Sequence, residues 1–155
     1  MKSRVFKISL IGVFSLLVLI FNPYKVVVVV GESMYPTLKN GNIVLAKKTN
    51  DLRKGDIVIA RNDFQEIIIK RIVYMPKEYY YYFISESADD YRELIVDNNY
   101  HNISDYVDEY GLKRIQQLQV PIGQYYLLGD NYNNSEDSRR FGSVERKDIL
   151  YKVIK

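Results

Sequence analysis

Two apolar patterns divide the chain. Residues Ile8 to Phe21 form an apolar run broken only by Ser9, Gly12 and Ser15, with Lys2, Arg4 and Lys7 before it. Downstream of Pro23 the apolar residues come in short segments rich in Val, Ile, Tyr and Phe, each bounded by turn residues. That spacing predicts strands at Lys25–Val30, Ile43–Ala46, Asp56–Arg61, Glu66–Tyr74, Tyr79–Ser85, Ile115–Val120, Gln124–Leu128 and Lys147–Ile154. Turn signals separate them at Lys39-Asn40-Gly41-Asn42, Lys54-Gly55, Arg61-Asn62-Asp63, Met75-Pro76-Lys77 and Pro121-Ile122-Gly123. No segment after Pro23 has the periodicity of a substantial amphipathic helix, so the expected fold class is mostly β. Residues 86–114 break the rhythm, with one or two helical turns expected from Ser104 to Gly111.

The first run predicts a membrane helix. Its fourteen residues would rise only ~21 Å against a hydrocarbon core of ~30 Å. A helix from about Ser3 to Asn22, with Lys7 snorkelling, closes that gap, and Asn22-Pro23 stops it. A cleavable signal peptide has the same basic start and short apolar run. The exit Phe21-Asn22-Pro23-Tyr24-Lys25 offers no small-x-small cleavage site, which favours an uncleaved anchor. Positive charge ahead of the span orients residues 24–155 away from the cytoplasm. The expected organisation is an anchor over 1–23 and one extracytoplasmic β-domain over 24–155.

Charge refines this picture. Lys and Arg outnumber Asp and Glu by 13 to 6 over residues 1–84 and by 8 to 5 over 111–155, but residues 85–110 carry 1 against 8. A basic body therefore holds an acidic insert, within about 75–123. The net charge of +3 is too small to argue for nucleic acid as a partner. With no cysteine and one histidine, the chain has no disulfide framework, thiolate metal site, multi-histidine site or cysteine nucleophile. That histidine, His101, lies in the acidic insert and reads as a solvated loop residue rather than part of a Ser-His-Asp triad.

One option that survives is a serine activated by a lysine. Ser33 follows the valine segment in Gly31-Glu32-Ser33-Met34-Tyr35-Pro36-Thr37-Leu38, where Gly31 permits close backbone approach and Pro36 fixes the next turn. Alternation in Ile67–Tyr74 puts Lys70 on one face with Ile68, Ile72 and Tyr74, and Arg71 on the other. A free lysine, pKa ~10.4, is neutral about once in 2,500 at pH 7, so a basic Lys70 needs an apolar surrounding that disfavours its charge. An ordinary turn serine and a lysine snorkelling off an edge strand remain the plain alternatives.

Four boxes then carry a resemblance. Ser33-Met34-Tyr35-Pro36-Thr37-Leu38 is similar to the S-M-x-P-T-L box of bacterial type I signal peptidases, and Lys70-Arg71 to their K-R box. Gly129-Asp130-Asn131 with Ser135-Glu136-Asp137-Ser138-Arg139-Arg140-Phe141-Gly142 resembles their G-D-N-x-x-x-S-x-D-S-R-x-x-G signature, and Gly55-Asp56-Ile57-Val58 their G-D-I/V-V strand start. The order is that of the family and spans Gly31 to Gly142. The resemblance implies a signal-peptidase-like catalytic domain of twisted antiparallel sheets. It also implies a nucleophile at Ser33, a general base at Lys70, and a Ser135 hydroxyl that bonds and orients the lysine amine. Asp137 with Arg139 and Asp130 with Arg71 are the implied ion pairs, and the Ser33 N–H is the implied oxyanion donor. Met34, Pro36 and Val30 are the expected substrate contacts, with Val26 to Val30 lining a cleft or forming a core strand.

The chain departs from the family at several places. Gly31 stands where some members carry a serine donor two residues before the nucleophile. Val73-Tyr74-Met75-Pro76-Lys77-Glu78 replaces V-G-x-P-G-D, so the loop there is expected to differ, and Tyr132 replaces the usual Arg after G-D-N. The expected activity is removal of signal peptides from exported preproteins by a Ser-Lys dyad, at a membrane lipid surface and without metal or cofactor. The single anchor and short catalytic part resemble the Gram-positive type. Rival readings are an accessory protein for surface structures such as pili, a specialised peptidase with few substrates, an SOS-repressor-like autoprotease, and an inactive anchored β-domain. An SOS-repressor-like chain would carry a DNA-binding region or a cleavable arm, neither of which is visible.

Overall fold

The computed structural model describes residues 12, 23–84, 92–94 and 115–154. The expected anchor, the helical turn at Ser104–Gly111, His101 and most of the acidic insert fall outside the described residues. None of the described helices is long and apolar enough to cross a membrane.

The described strands are β1 (Tyr24–Val28), β2 (Ile43–Lys47), β3 (Ile57–Arg61), β4 (Ile67–Tyr74), β5 (Tyr79–Ile84), β6 (Arg92–Leu94), β7 (Ile115–Gln119), β8 (Gln124–Leu128), β9 (Val144–Glu145) and β10 (Ile149–Ile154). Eight of the ten described strands lie where the sequence pattern puts them, and β6 and β9 are additional. A seven-stranded antiparallel sheet runs β1-β2-β10-β3-β4-β8-β9, and a second sheet runs β6-β5-β7. A short helix, α1 (Ser138–Phe141), and two 3-10 turns, Tyr132–Asn134 and Arg146–Asp148, complete the described elements. Lys147 therefore belongs to a turn and not to the last strand. β6, β9 and α1 are too short to show any period in the sequence.

β3 and β4 form the hairpin on which the site depends. Ile57 pairs with Arg71, Val58 with Lys70 and Ala60 with Ile68, and the tip closes through Asn62, which exchanges backbone and side-chain bonds with Glu66. The main core packs Leu52, Val58, Ala60, Ile72, Leu127, Val144 and Ile149 on one side of the sheet. Each of the Val, Leu and Ile side chains among them contributes about 1.5–3 kcal/mol by leaving water. Val120, Tyr126 and Leu128 form a smaller cluster on the other side, with Val73, Tyr74 and Tyr80 against it.

Three expectations change here. Val26 and Val28 are exposed on an edge strand, so a core strand over Val26–Val30 does not form, and only Val29 is buried. A register shift between Ile72 and Tyr74 turns Tyr74 away from the face of Ile72, into contact with the Tyr80 and Tyr126 rings. The loop after β4 keeps a left-handed residue, Lys77 at φ 71°, where the family pattern has glycine. Glu78 accepts the Met75 N–H at 2.9 Å and meets Lys54 at 3.2 Å, closing that turn without either glycine.

Candidate functional site

Ser33 sits in the turn that follows β1. Gly31 adopts φ +89°, a conformation that side chains disfavour, and nothing lies within 4 Å of where its Cβ would be. The need for glycine here is therefore conformational, not the close approach expected from the sequence. Asn40 Oδ1 accepts the Gly31 N–H at 3.1 Å and holds the turn from its far side.

Lys70 reaches this turn from the middle of the sheet. β4 lies between β3 and β8, so Lys70 does not snorkel off an edge; it shares the core face with Ile72, beside Val58, and is only 4% exposed. Its Nζ donates to Ser33 Oγ at 2.7 Å. Burial lowers its pKa, Asp137 opposes that, and Arg139 adds to it. The amine is thus pushed towards the neutral form that can accept a proton, while already touching the hydroxyl that would supply one.

The segment 129–142 supports the pair from below. Asp137, with its side chain fully buried, takes two Arg139 bonds, Nε to Oδ1 and Nη2 to Oδ2, each at 2.8 Å. It also accepts the Gly129 N–H at 3.0 Å and caps α1 through the Arg139 N–H. Burial alone would raise its pKa, but the guanidinium and the amide N–H outweigh it and hold the carboxyl below the usual carboxylate range. Arg139 is secured in turn by the Tyr132 carbonyl at 2.7 Å and by the Tyr132 ring, 3.9 Å from Cζ. Arg71 grips Asp130 bidentately at 2.8 and 2.6 Å and donates to the Gly55 carbonyl at 2.7 Å. Both ion pairs implied by the resemblance are formed.

Ser135 departs from expectation. Its buried Oγ lies where it favours the Asp137 carboxylate but, among the described residues, meets no partner at hydrogen-bond geometry, so the expected bond to the Lys70 amine is not made. The hydroxyl is packed over Gly129, where a Cβ would lie 2.5 Å from the Ser33 carbonyl oxygen and closer still to Ser135 Oγ. Among the expected substrate contacts, Val30 is 86% exposed and Pro36 is also exposed, whereas Met34 is 1% exposed. The Met34 side chain is therefore interior packing beneath the serine turn, not a surface offered to a substrate.

Two residues gain importance beyond the sequence reading. Gly129 is the position where backbone approach is closest, and Asn131 bonds the Ser33 carbonyl through its N–H at 2.9 Å and the Glu32 carbonyl through Nδ2 at 3.1 Å. Both stand in the G-D-N box, the only signal for them in the sequence. Among known proteins, the family described as "Signal peptidase, peptidase S26" matches residues 2–154. "Signal peptidase IB" of Staphylococcus aureus is 31% identical over 151 residues, covering 86% of this chain and 76% of that protein. "Signal peptidase I P" of Bacillus subtilis subsp. natto is 31% identical over 164 residues, covering 92% of this chain and 80% of its own length.

Proposed function

The chain belongs to the signal peptidase family, peptidase S26, and is a serine peptidase, a hydrolase; on that premise we propose that it is a membrane-anchored endopeptidase cutting signal peptides from exported preproteins with Ser33 as nucleophile and Lys70 as general base. The observation that carries this reading is the 2.7 Å bond between Ser33 Oγ and the amine of a lysine shut away from water. Neutral Lys70 takes the Ser33 proton as Oγ adds to the scissile carbonyl carbon. The oxygen of that carbonyl becomes the tetrahedral oxyanion and is held by the Ser33 N–H. The resulting ammonium gives its proton to the leaving amine as the C–N bond breaks. Lys70, neutral again, then activates the water that hydrolyses the acyl-enzyme.

In this reading Asp137 and Arg139 act on the lysine from the supporting segment, and Asp130 with Arg71 ties that segment to β4. The preprotein lies extended against strand edges, with the exposed Val30 and Pro36 beside the scissile bond. The N-terminal segment spans the cytoplasmic membrane once, N-terminus inside, which confines enzyme and preprotein to one plane and raises their effective concentration. The test is cleavage of a preprotein with a small-x-small signal site by full-length protein in detergent, for wild type, Ser33→Ala and Lys70→Ala. Both variants should lose cleavage while keeping the wild-type urea midpoint or exceeding it. Cleavage at the wild-type rate by Ser33→Ala would sink the assignment, and failure of wild type across several signal peptides in lipid would favour the accessory reading.

A further inference from the structure

In the mechanism proposed above the Glu32–Ser33 peptide carries the N–H that holds the oxyanion, so whatever fixes that peptide plane fixes the donor. In a trans peptide the C=O and N–H of one unit point in opposite directions. The Glu32 carbonyl is held by two donors, the Tyr35 N–H at 3.0 Å within its own turn and Asn131 Nδ2 at 3.1 Å from the G-D-N segment. The Ser33 carbonyl, on the next peptide, accepts the Asn131 N–H at 2.9 Å. One residue therefore grips the peptide units on both sides of the serine. Among the described residues the Ser33 N–H itself has no hydrogen-bond acceptor. The residue two positions earlier is Gly31, which has no side-chain donor to offer a second bond.

We propose that Asn131 is a positioning residue for the oxyanion site: its amide, bonded to the Glu32 carbonyl, aims the Ser33 N–H at the scissile carbonyl oxygen. This rests on the Ser33 assignment above. Asn131 is placed by its neighbour Asp130, which is clamped by Arg71, the residue after Lys70 on β4. The strand that delivers the base to Ser33 Oγ on one face thus anchors, through its other face, the residue that orients the oxyanion donor. Base and donor keep a fixed separation because both are referred to the same strand.

The experiment compares full-length wild type, Ser33→Ala, Asn131→Ala, Asn131→Gln and Asn131→Asp in detergent, measuring kcat and KM on a preprotein across pH. Removing an oxyanion donor outright lowers kcat by about 10²–10³-fold, and Asn131→Ala keeps the Tyr35 bond, so a loss of roughly tenfold is expected. KM should stay within about twofold and the acid limb of the pH profile should not move. Asn131→Gln, which retains a donor, should recover part of the loss. Asn131→Asp keeps the shape and the backbone bond but turns an acceptor towards the Glu32 carbonyl, so it should lose at least as much as Asn131→Ala. That variant is decisive if Asn131→Ala fails to fold. Wild-type kcat in Asn131→Asp, or a loss in Asn131→Ala expressed only in KM or as a displaced acid limb, overturns the proposal. If Ser33→Ala still cleaves, the Ser33 assignment has failed; if it is inactive while Asn131→Ala matches wild type, the positioning role alone has failed.

Discussion

Replacing Arg139 with alanine strands a carboxylate in the interior. The Asp137 side chain has no exposed surface and the Arg139 side chain only 14%. The substitution removes both guanidinium bonds, the bond to the Tyr132 carbonyl and the stacking on its ring, leaving Asp137 with the Gly129 and residue 139 N–H groups. Breaking a buried pair from one side costs about 3–5 kcal/mol, because the remaining charge keeps its desolvation penalty. Against a total stability of about 5–15 kcal/mol this is a large loss, and for a chain of this length it means a melting point lower by roughly 6–20 °C. Urea unfolding of the full chain in detergent, followed by far-ultraviolet circular dichroism, measures it. The sign of the pH dependence is fixed by Asp137. Its folded pKa is depressed, so its contribution is complete above the ordinary value of 3.8 and is lost as pH falls through the folded value. The gap between wild type and Arg139→Ala should therefore be full at pH 7 and narrower at pH 4, where the stranded carboxylate can take up a proton. A loss under about 1 kcal/mol at pH 7, or an equal gap at both pH values, would refute the account of a buried, mutually neutralised pair.

Two further outcomes follow from the same geometry. Lys70→Met keeps the length of the side chain in an apolar site and should raise stability by about 1–2 kcal/mol at pH 6 while abolishing cleavage. Because burial lowers the folded pKa of Lys70, the wild type carries that penalty fully at low pH and sheds it as pH rises towards 10.5. The advantage of the variant should shrink in the same direction, and a gap that widens with pH would contradict the assignment. Gly129→Ala forces a methyl group against the Ser33 carbonyl, so it should cost about 1–3 kcal/mol and lower kcat. Gly31→Ala meets nothing and adds only left-handed strain of about 1–2 kcal/mol; equal kcat values for the two variants would disprove the distinction.

Legibility in the sequence followed the range of the physics. Strand positions, and the face that Lys70 shares with Ile72, come from period-two alternation, a local property that the structure keeps. The serine turn was readable from Gly31 and Pro36, although the reason for Gly31 lies in its φ angle and the close approach lies at Gly129 instead. Nothing local tells an edge strand from a core strand in a run of five valines; that depends on β1 having, among the described residues, a neighbour on one side only. The face of Tyr74 was misread for a related reason, since a single register shift against β8 reverses a prediction that alternation makes with no sign of trouble. The two ion pairs join residues 59 and 2 apart, and neither spacing identifies a partner; they were legible only through the family resemblance. Asn131 and Tyr132 act on the site partly through backbone carbonyls, which no side-chain pattern records.

The balance of forces on Lys70 explains why a buried ion pair belongs beside it. Asp137 pulls its pKa up and Arg139 pushes it down, so the two charges act against each other and desolvation, the largest influence, decides the direction. A lone carboxylate at the position of Asp137 would favour the ammonium form of Lys70. A lone guanidinium would leave an unpaired charge buried next to the core. The pair avoids both, provided that the guanidinium stays on the carboxylate. Tyr132 secures this with its ring and its backbone carbonyl. The loss of Arg139 should accordingly appear twice in one variant, as lower stability and as an acid limb of cleavage moved to higher pH, because the Asp137 carboxylate then acts on Lys70 unopposed.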